Sequence, residues 1–326
     1  MSNYLVSGVA GFIAARVAEI LLEAGHVVVG LDNLNDAYDV RMKHYRLERL
    51  TKFKNFTFQK IDIGKWGDVQ DIRLEKDGFD AVINLAARAG VRSSVENPWV
   101  YVDTNVTGSL NLLEFCQRNQ INKFLLASTS SVYGSDAPLP TPETANSDHP
   151  LQAYAASKKG AEVMCHAYHF LYDIDVSVVR FFTVYGPAGR PDMSIFRFIR
   201  WIVEGEPIRL FGDGNQTRGF TYIDDIARGV IQALDSVGFE IINLGGHQDI
   251  ALNKLISLIE QKVGKAAIID NLAPVKADMK ANLADVSKAG SLLGWEPVVG
   301  IEEGISQTIQ WYYENREWAS QIDLNI

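Results

Sequence analysis

The sequence predicts an α/β protein with a doubly wound parallel sheet and a smaller C-terminal region. Short apolar segments alternate with helical segments through the first half of the chain. A glycine-containing turn joins the first strand to the first helix, and an acidic residue ends the second strand. Further along, Tyr154 and Lys158 stand four residues apart, which places both on one helix face. These observations predict a ligand cleft at the C-terminal ends of the strands.

Composition limits the function classes that the chain can serve. It has 326 residues, of which 47% are hydrophobic and 22% charged, enough for one large domain or two that share a cleft. The net charge of −9 disfavours nucleic-acid binding, so an anionic ligand would need local arginines. Cys116 and Cys165 lack metal-ligand spacing, and the six histidines suggest no metal site. With no signal-like or membrane-length apolar segment, we expect a cytoplasmic protein without membrane contact.

The first strand, turn, helix and second strand form a dinucleotide-binding pattern. A strand at 4–7 precedes the turn Gly8-Val-Ala-Gly11, a helix runs to about Ala24, and a second strand at 26–31 ends at Asp32. The glycines let backbone amides at the helix N-terminus approach a pyrophosphate, and Asp32 is placed to bind the adenosine ribose. A carboxylate repels a 2′-phosphate, so the pattern favours NAD over NADP. The turn predicts a Rossmann-type domain with these first cofactor contacts: Gly8, Gly11, Phe12, Ile13, Asp32 and Asn33.

The alternation continues and extends the expected cofactor site. Strands are predicted at 56–62, 80–85 and 123–127, with a helix at 100–117. Side chains near the strand ends, and small residues that let a cofactor lie close, complete the expected set: Asp62, Ile63, Leu85, Ala86, Ala87 and Asn105.

Tyr154, Lys158 and Thr129 form a candidate acid/base group. A free phenol has a pKa of about 10, too high for a base at neutral pH. A nearby ammonium favours the phenolate, and a positively charged nicotinamide ring favours it further. Thr129, directly after a predicted strand, would carry a proton between a substrate hydroxyl and the phenolate. The Tyr and Lys therefore join the cofactor contacts, and all three residues are catalytic candidates.

Motifs spread over nearly the whole chain resemble the extended short-chain dehydrogenase/reductase family, and within it the nucleotide-sugar epimerases. They occur in the family's order: Gly8-Val-Ala-Gly-Phe-Ile, Asn84-Leu-Ala-Ala, Ser130-Ser-Val-Tyr-Gly, Tyr154-Ala-Ala-Ser-Lys and Arg218-Gly-Phe-Thr-Tyr. A longer segment, Arg180-Phe-Phe-Thr-Val-Tyr-Gly-Pro-Ala-Gly-Arg-Pro-Asp-Met, is similar to the signature of UDP-glucuronate 4-epimerases. The resemblance implies inversion of carbon 4 through a transient 4-keto sugar, with NAD tightly bound and regenerated each cycle.

The resemblance also implies a substrate site in the second half. Phe182 would border the nicotinamide, and Arg218 would meet the diphosphate with help from Arg92. Arg190 and two serine hydroxyls would hold the sugar carboxylate against loss of carbon dioxide. The implied substrate contacts are Arg92, Thr129, Ser130, Ser131, Thr183, Arg190, Arg218 and Asp278. Related dehydratases carry an Asp-Glu pair where this chain has Ser130 and Ser131, and related decarboxylases carry Glu at position 131. The resemblance therefore favours epimerisation without side reactions.

Domain boundaries and oligomeric state are further expectations. Residues 1–185 and about 220–246 are predicted to form the NAD-binding domain, and about 186–219 and 247–326 the UDP-sugar domain. The family implies a homodimer through helices equivalent to 100–117 and 154–172. This chain departs from the family pattern in having Ala14 for Gly, Arg88 for Gln and Gly219 for an acid. The last two leave the role of Arg88 and the support of Arg218 open.

Two other functions stay open on sequence grounds. A UDP-glucose or UDP-N-acetylhexosamine 4-epimerase would need no partner for a substrate carboxylate. A non-catalytic dinucleotide sensor of the same fold is the least favoured alternative, because such proteins typically lack the Tyr or the Lys, and both are present here.

Overall fold

The computed structural model describes residues 1–73, 78–246, 249–273 and 282–324. Its strands, numbered in chain order, are β1 (Asn3–Ser7), β2 (Val27–Asp32), β3 (Phe56–Lys60), β4 (Ala81–Asn84), β5 (Lys123–Thr129), β6 (Asp175–Phe181), β7 (Thr183–Tyr185), β8 (Pro207–Phe211), β9 (Thr217–Tyr222), β10 (Phe239–Leu244), β11 (Asp249–Ala251) and β12 (Ile268–Leu272).

The α-helices alternate with these strands through most of the chain. They are α1 (Phe12–Glu23), α2 (Arg41–Leu50), α3 (Trp66–Gln70), α4 (Ser93–Glu96), α5 (Trp99–Tyr101), α6 (Gly108–Arg118), α7 (Ala153–Tyr172), α8 (Ser194–Glu204), α9 (Ile223–Gln232), α10 (Leu252–Val263), α11 (Ser287–Leu293), α12 (Ile301–Glu314) and α13 (Arg316–Ala319). A π-helical segment at Val102–Thr107 joins α5 to α6, and a 3₁₀ turn at Ser130–Tyr133 follows β5.

Seven strands form one parallel sheet in the order β10-β6-β5-β4-β1-β2-β3. The chain moves outward from β1 in both directions, so the strand order switches between β1 and β4. In such sheets the ligand lies beyond the C-terminal strand ends at the switch point. The predicted Rossmann-type fold class is therefore confirmed.

Helices cover both faces of this sheet because its strands are apolar on both sides. All seven residues of β5 are buried. Apolar side chains of α1, α9 and α11 pack on one face, and those of α3, α6 and α7 pack on the other. Complete burial of one Val or Leu contributes about 1.5–3 kcal/mol, so this double layer fixes the positions of the strand ends.

A second core lies outside the large sheet. It contains the buried faces of α8, α10 and α12, together with β8, β9 and Tyr38 and Met42 from the region of α2. The strands here form a three-stranded sheet, β11-β9-β7, and a two-stranded sheet, β12-β8. Trp311 and Tyr312 are buried in this core, as expected, whereas Tyr313 is exposed.

The helix expected at 100–117 is interrupted, since its first half is the π-helical segment Val102–Thr107. π-Bulges often occur at functional sites because they re-aim side chains, and Asn105 lies in this one. The limits of the NAD-binding and UDP-sugar domains remain a prediction. Ala289 and Trp295 lie in the range expected for the UDP-sugar domain, but they pack against the large sheet.

In the parts of the chain that the structure describes, no helix has both the length and the apolar character needed to cross a bilayer.

Candidate active site

The expected acid/base residues converge at the C-terminal end of β5. Thr129 is the last residue of that strand, while Tyr154 and Lys158 lie in the first two turns of α7, which packs against β5. Tyr154 is half-buried with its ring 6.1 Å from that of Tyr101, measured between centroids. The phenol thus stands at the edge of the sheet where the fold predicts a ligand.

Lys158 is the most unusual charged group of this site. Its side chain is 1% exposed, and its Nζ has no hydrogen-bond partner among the described residues. Burial lowers the pKa of Lys158 to about 8, although the Glu162 carboxylate acts in the opposite direction. An unpaired buried ammonium is costly, so its presence indicates that a ligand supplies the missing acceptors.

The pKa of Tyr154 differs from the sequence-based expectation of an acidic phenol. In the protein alone, burial raises the pKa above the usual value of 10.0, while a hydrogen bond with Thr129 and the charge of Arg190 lower it. Lys158 is not among the groups that shift it. Thr129 and Arg190 are therefore the groups that lower the pKa of the phenol. The expected lowering by the Lys158 ammonium is not seen in the protein alone.

Beneath these residues lies a buried ion pair. Arg180 of β6 donates through Nε and Nη2 to the two carboxylate oxygens of Glu162, at 2.9 and 2.7 Å. Ser128 donates to the same carboxylate at 2.5 Å, and the Arg180 guanidinium lies 4.7 Å from the Tyr133 ring centroid. Because Glu162 is one turn after Lys158 on α7, this pair ties the helix to the strand that ends at Thr129.

The glycine turn has the geometry that a close ligand requires. Gly8 has a φ of 72°, and a Cβ added there would lie 2.7 Å from the Cα of Ala86. The side chain of Ser7 hydrogen-bonds to Asn84 at 2.7 Å and accepts from the Ala86 amide at 3.2 Å. The turn and the segment after β4 are thus locked together at the switch point.

Three observations show that these residues fit a dinucleotide. The N-cap of α1, Gly11, makes no side-chain cap, and the first turn carries no acid, so its amides are available to an anion. A Cβ at Gly11 would lie 2.8 Å from the Gly8 carbonyl oxygen, so glycine permits the tight turn that leads into these amides. The partnerless Nζ of Lys158 offers donors to hydroxyl groups.

Asp32, expected to bind the ribose, is held by the chain itself. Its carboxylate accepts from the amides of Ala10, at 3.2 Å, and Leu34, at 2.7 Å, and lies 3.4 Å from Nζ of Lys43. A carboxylate has about four acceptor positions, so one remains for a ribose hydroxyl. Asn33 accepts from the backbone and side chain of Asn35.

Other expected cofactor residues play supporting roles in the protein alone. Asp62 accepts from the Gly64 amide at 3.1 Å, and the Ile63 side chain is buried against Gly108. Leu85 and Ala86 are half-buried after β4, and Ala87 is exposed.

The side chain of Asn105 contacts other parts of the chain, and its expected cofactor contact stays a prediction. Its amide donates to the Arg88 carbonyl, at 3.0 Å, and the Ser157 hydroxyl, at 2.9 Å, and accepts from the Arg88 amide at 2.9 Å. With these groups committed to the protein, Asn105 positions the loop after β4 against α7. The backbone of Arg88 is therefore fixed.

On the substrate side, Arg190 is paired with Asp192. Two guanidinium N–H groups donate to that carboxylate at 3.0 and 2.6 Å, and the Tyr38 ring lies 5.7 Å from the guanidinium carbon. Burial acts to raise the pKa of Asp192, but the charge and hydrogen bonds of Arg190 lower it. The remaining donors of Arg190 are those available to a substrate carboxylate.

The serine pair follows the C-terminal end of β5, and Phe182 follows the C-terminal end of β6. Thr129 Oγ1 accepts from the Ser131 amide and lies 3.2 Å from the Ser131 hydroxyl, and the Ser130 hydroxyl accepts from Asn282 at 3.1 Å. Phe182 is buried against the Tyr133 ring, and Thr183 is half-buried at the start of β7.

Arg92, Arg197 and Arg209 lie close enough for their charges to interact. Burial and the charges of Arg92 and Arg209 lower the pKa of Arg197, and Asp192 opposes this effect. The Arg92 guanidinium lies 4.6 Å from the Phe211 ring centroid, and Arg218 donates to the Thr217 carbonyl at 2.7 Å. Such a concentration of cations suits a diphosphate. Asp278, expected near the nucleotide ribose, lies outside the described residues.

The structure explains the glycine at position 219. A Cβ there would lie 3.1 Å from the Gly246 carbonyl and 3.2 Å from the Asn282 carbonyl, so a larger residue would push β9 away from its neighbours.

Sequence reasoning missed Asp192, Glu162 and Asn282 as parts of the site. Glu162 had a detectable signal, because it continues the one-turn spacing of Tyr154 and Lys158 along α7. Asn282 had none, since only tertiary structure brings it to Ser130.

Replacing Lys158 by Met should stabilise the nucleotide-free protein at pH 7. Met keeps a long unbranched chain and removes the unpaired charge, so we expect the free energy of unfolding to rise by about 1–3 kcal/mol. Between the folded pKa of about 8 and the usual value of 10.5, the unfolded wild type binds more protons. Wild-type stability therefore rises with pH across this interval, and the advantage of Met should shrink.

Urea unfolding at pH 7 and pH 9.5 checks this prediction, with the exposed Lys254→Met as control. Destabilisation by Lys158→Met at pH 7, or a difference from wild type that does not change with pH, would contradict it.

Comparison with known proteins agrees with this geometry. The model of the NAD dependent epimerase/dehydratase family matches residues 4–245. A UDP-glucuronate 4-epimerase of Thermodesulfobacterium geofontis is 56% identical over 323 residues, which cover 99% of each chain. A probable UDP-glucuronate 4-epimerase of Rhizobium meliloti is 38% identical, with 96% of this chain and 97% of the relative covered.

Solved structures show the same similarity. The UDP-glucuronic acid 4-epimerase of Bacillus cereus, in complex with UDP-glucuronic acid and NAD, superposes with a TM-score of 0.88 at 35% identity, covering 96% of this chain and 99% of that one. The UDP-glucose 4-epimerase of Thermotoga maritima with UDP-glucose gives 0.88 at 31% identity, with the same shares of the two chains covered. On sequence, fold and site geometry, the chain belongs to the NAD dependent epimerase/dehydratase family.

Proposed function

We propose that this protein is an NAD-dependent isomerase that inverts carbon 4 of UDP-glucuronate to give UDP-galacturonate. The observation that carries the sugar assignment is the position of Arg190. The charge of its guanidinium lowers the pKa of the Tyr154 phenol, which supports a cation within electrostatic reach of the proposed acid/base group. A substrate with a carboxylate on the neighbouring carbon would use that cation, whereas a neutral hexose would not.

The residues that would hold NAD are those of the glycine turn, Asp32 and Lys158. Bound there, NAD would supply the hydride acceptor and donor that inversion of carbon 4 requires. Lys158 gives its free donors to the bound nucleotide. That contact also removes the cost of an ammonium without hydrogen-bond partners.

Tyr154 and Thr129 move the proton. Tyr154 takes the proton of the 4-hydroxyl, through Thr129 or directly, and returns it after the sugar has turned over. Because burial raises the pKa of Tyr154 in the protein alone, the phenolate needs the positive charge of the oxidised nicotinamide ring as well as Arg190.

Inversion requires the sugar to rotate while the nucleotide stays in place. Arg92 and Arg197, whose charges interact, would hold the diphosphate together with Arg218. Firm binding of the remote group combined with loose binding of the reacting ring directs binding energy to the chemical step. Asp278 remains a proposed ribose contact.

A 4-keto glucuronate is a β-keto acid and can lose its carboxylate. Arg190, held by Asp192, would fix that carboxylate together with the hydroxyls of Ser130 and Ser131. A fixed carboxylate keeps its carbon–carbon bond out of alignment with the ketone. Serines also provide no acid that could start an elimination.

A 4-epimerase acting on UDP-glucose is the second candidate, favoured by the similarity to the Thermotoga maritima enzyme. The sugar that turns over fastest separates the two candidates.

We also propose a homodimer. Apolar side chains on α4, α5, the π-helical segment and α7 are exposed: Val95, Trp99, Val102, Val163, Phe170 and Leu171. Helix pairing across a two-fold axis would cover them. A cytoplasmic location is consistent with the two buried free cysteines. The interleaved NAD and UDP-sugar domains remain part of this proposal.

Turnover by wild type and Tyr154→Phe tests the reaction. Purified wild type should convert UDP-glucuronate to UDP-galacturonate, followed by NMR of the anomeric protons. Loss of the phenol should lower kcat by about 10²–10⁴-fold because proton transfer is lost. Tyr172→Phe, exposed at the end of α7, is the matched control and should keep full activity. Equal rates for wild type and Tyr154→Phe would rule out this acid/base assignment.

Arg190→Met tests the sugar assignment. We expect the ratio of kcat/KM for UDP-glucuronate to kcat/KM for UDP-glucose to fall about 10–100-fold, because a charge-assisted hydrogen bond is lost. The double variant Arg190→Met/Asp192→Asn removes the carboxylate that would otherwise be left unpaired and should show the same fall. An unchanged ratio in both variants would favour a neutral sugar as substrate.

Phe170→Asp tests the dimer. A charge in the apolar surface should convert the protein from a dimer to a monomer, measured by light scattering after size exclusion. Leu292→Asp, an exposed apolar residue on α11, is the control and should remain dimeric. A monomeric wild type would refute the dimer.

A further inference from the structure

Arg46 of α2 is a buried cation without a carboxylate partner. Its side chain is 3% exposed, and it forms no ion pair with any residue that the structure describes. The guanidinium carbon lies 5.8 Å from the Phe12 ring centroid and 5.6 Å from that of Tyr38. A buried charge in such surroundings needs hydrogen-bond acceptors on nearly all its donors.

Those acceptors belong to two separate turns. Nη1 donates to the Ala10 carbonyl at 3.1 Å and to the Tyr38 hydroxyl at 2.8 Å. Nε and Nη2 donate to the Ala188 carbonyl at 3.1 and 2.7 Å, and Nη2 also lies 3.3 Å from the Gly189 carbonyl. One guanidinium thus connects residues that are 178 positions apart in the chain, Ala10 and Ala188.

The first turn belongs to the proposed dinucleotide site, and the second directly precedes Arg190 of the proposed sugar site. Ala10 is in the glycine turn, which is closed by the Gly11 amide on the Gly8 carbonyl at 2.7 Å. Ala188, with a φ of 55°, is two residues before Arg190, in a turn closed by the Gly189 amide on the Gly186 carbonyl at 3.1 Å. Because carbonyl oxygens of both turns accept hydrogen bonds from the one Arg46 guanidinium, its position ties the two turns together.

We propose that Arg46 is a positioning residue that couples the dinucleotide turn to the loop of Arg190. It would set NAD affinity and selectivity for the sugar carboxylate together; the second part rests on the function proposed above. The planar fork of arginine reaches both turns at once, and an ammonium has a single donor centre that cannot. Lysine at this position would therefore keep the charge and lose the connection.

The test uses Arg46→Lys and Arg46→Met, with Arg49→Met as the matched control. Arg49 is on the same helix, and its side chain is 46% exposed. The first measurement is the Kd of NAD for nucleotide-stripped protein, by calorimetry without any sugar. We expect both Arg46 variants to raise the Kd about tenfold or more and Arg49→Met to leave it unchanged.

The second measurement is the ratio of kcat/KM for UDP-glucuronate to that for UDP-glucose at saturating NAD. Arg46→Lys should lower this ratio about tenfold. In the Arg190→Met/Asp192→Asn background it should have no further effect, because the residue it positions is gone. A residue that only supported folding would lower the melting temperature and leave both the Kd and the ratio unchanged.

The results separate the two proposals. Wild type that turns over neither sugar refutes the proposed function, and the Kd of NAD then decides the role of Arg46. If wild type is active and either the Kd or the ratio is unchanged in Arg46→Lys, the coupling is refuted. Should Arg46→Met fail to fold, Arg46→Lys alone gives both measurements.

Discussion

The site depends on the packing of α7 against β5 and β6, which is secured by the buried Glu162–Arg180 ion pair. Breaking one partner of a buried pair commonly costs 3–5 kcal/mol, so this contact strongly fixes the helix on the sheet. It places Tyr154 and Lys158 beside Thr129, and it brings a carboxylate to within electrostatic reach of the Lys158 ammonium. The remaining features of the site arrange ligands around this face.

Without a ligand, Lys158 and Tyr154 are not in the states that the proposed reaction requires. Lys158 has no acceptor among the described residues, and burial raises the pKa of the phenol that should act as base. The unpaired ammonium is costly for the protein alone, and the hydroxyl groups of a bound dinucleotide would relieve that cost. The positive ring of the oxidised nicotinamide would lower the pKa of the phenol. Strain of this kind favours retention of the cofactor, which suits a reaction in which it is regenerated at every cycle.

Much of this was predictable from the sequence because local patterns determine it. The strand–turn–helix units, the glycine turn and the Tyr154–Lys158 spacing all depend on residues close together in the chain. The satisfied amide of Asn105 and the raised pKa of Tyr154 were not predictable, since both follow from burial and from partners on distant elements. The role of Arg46 depends on two turns that no sequence pattern connects.

The protein holds Tyr154 in a protonated state, and we propose that the bound cofactor converts it to a usable base. Titration of the tyrosine Cζ carbons by NMR, with Tyr154→Phe to assign the signal, measures this directly. We expect a pKa above 10 in nucleotide-free protein and a clearly lower value in NAD-loaded protein. A pKa that is unchanged or higher with NAD bound would contradict it.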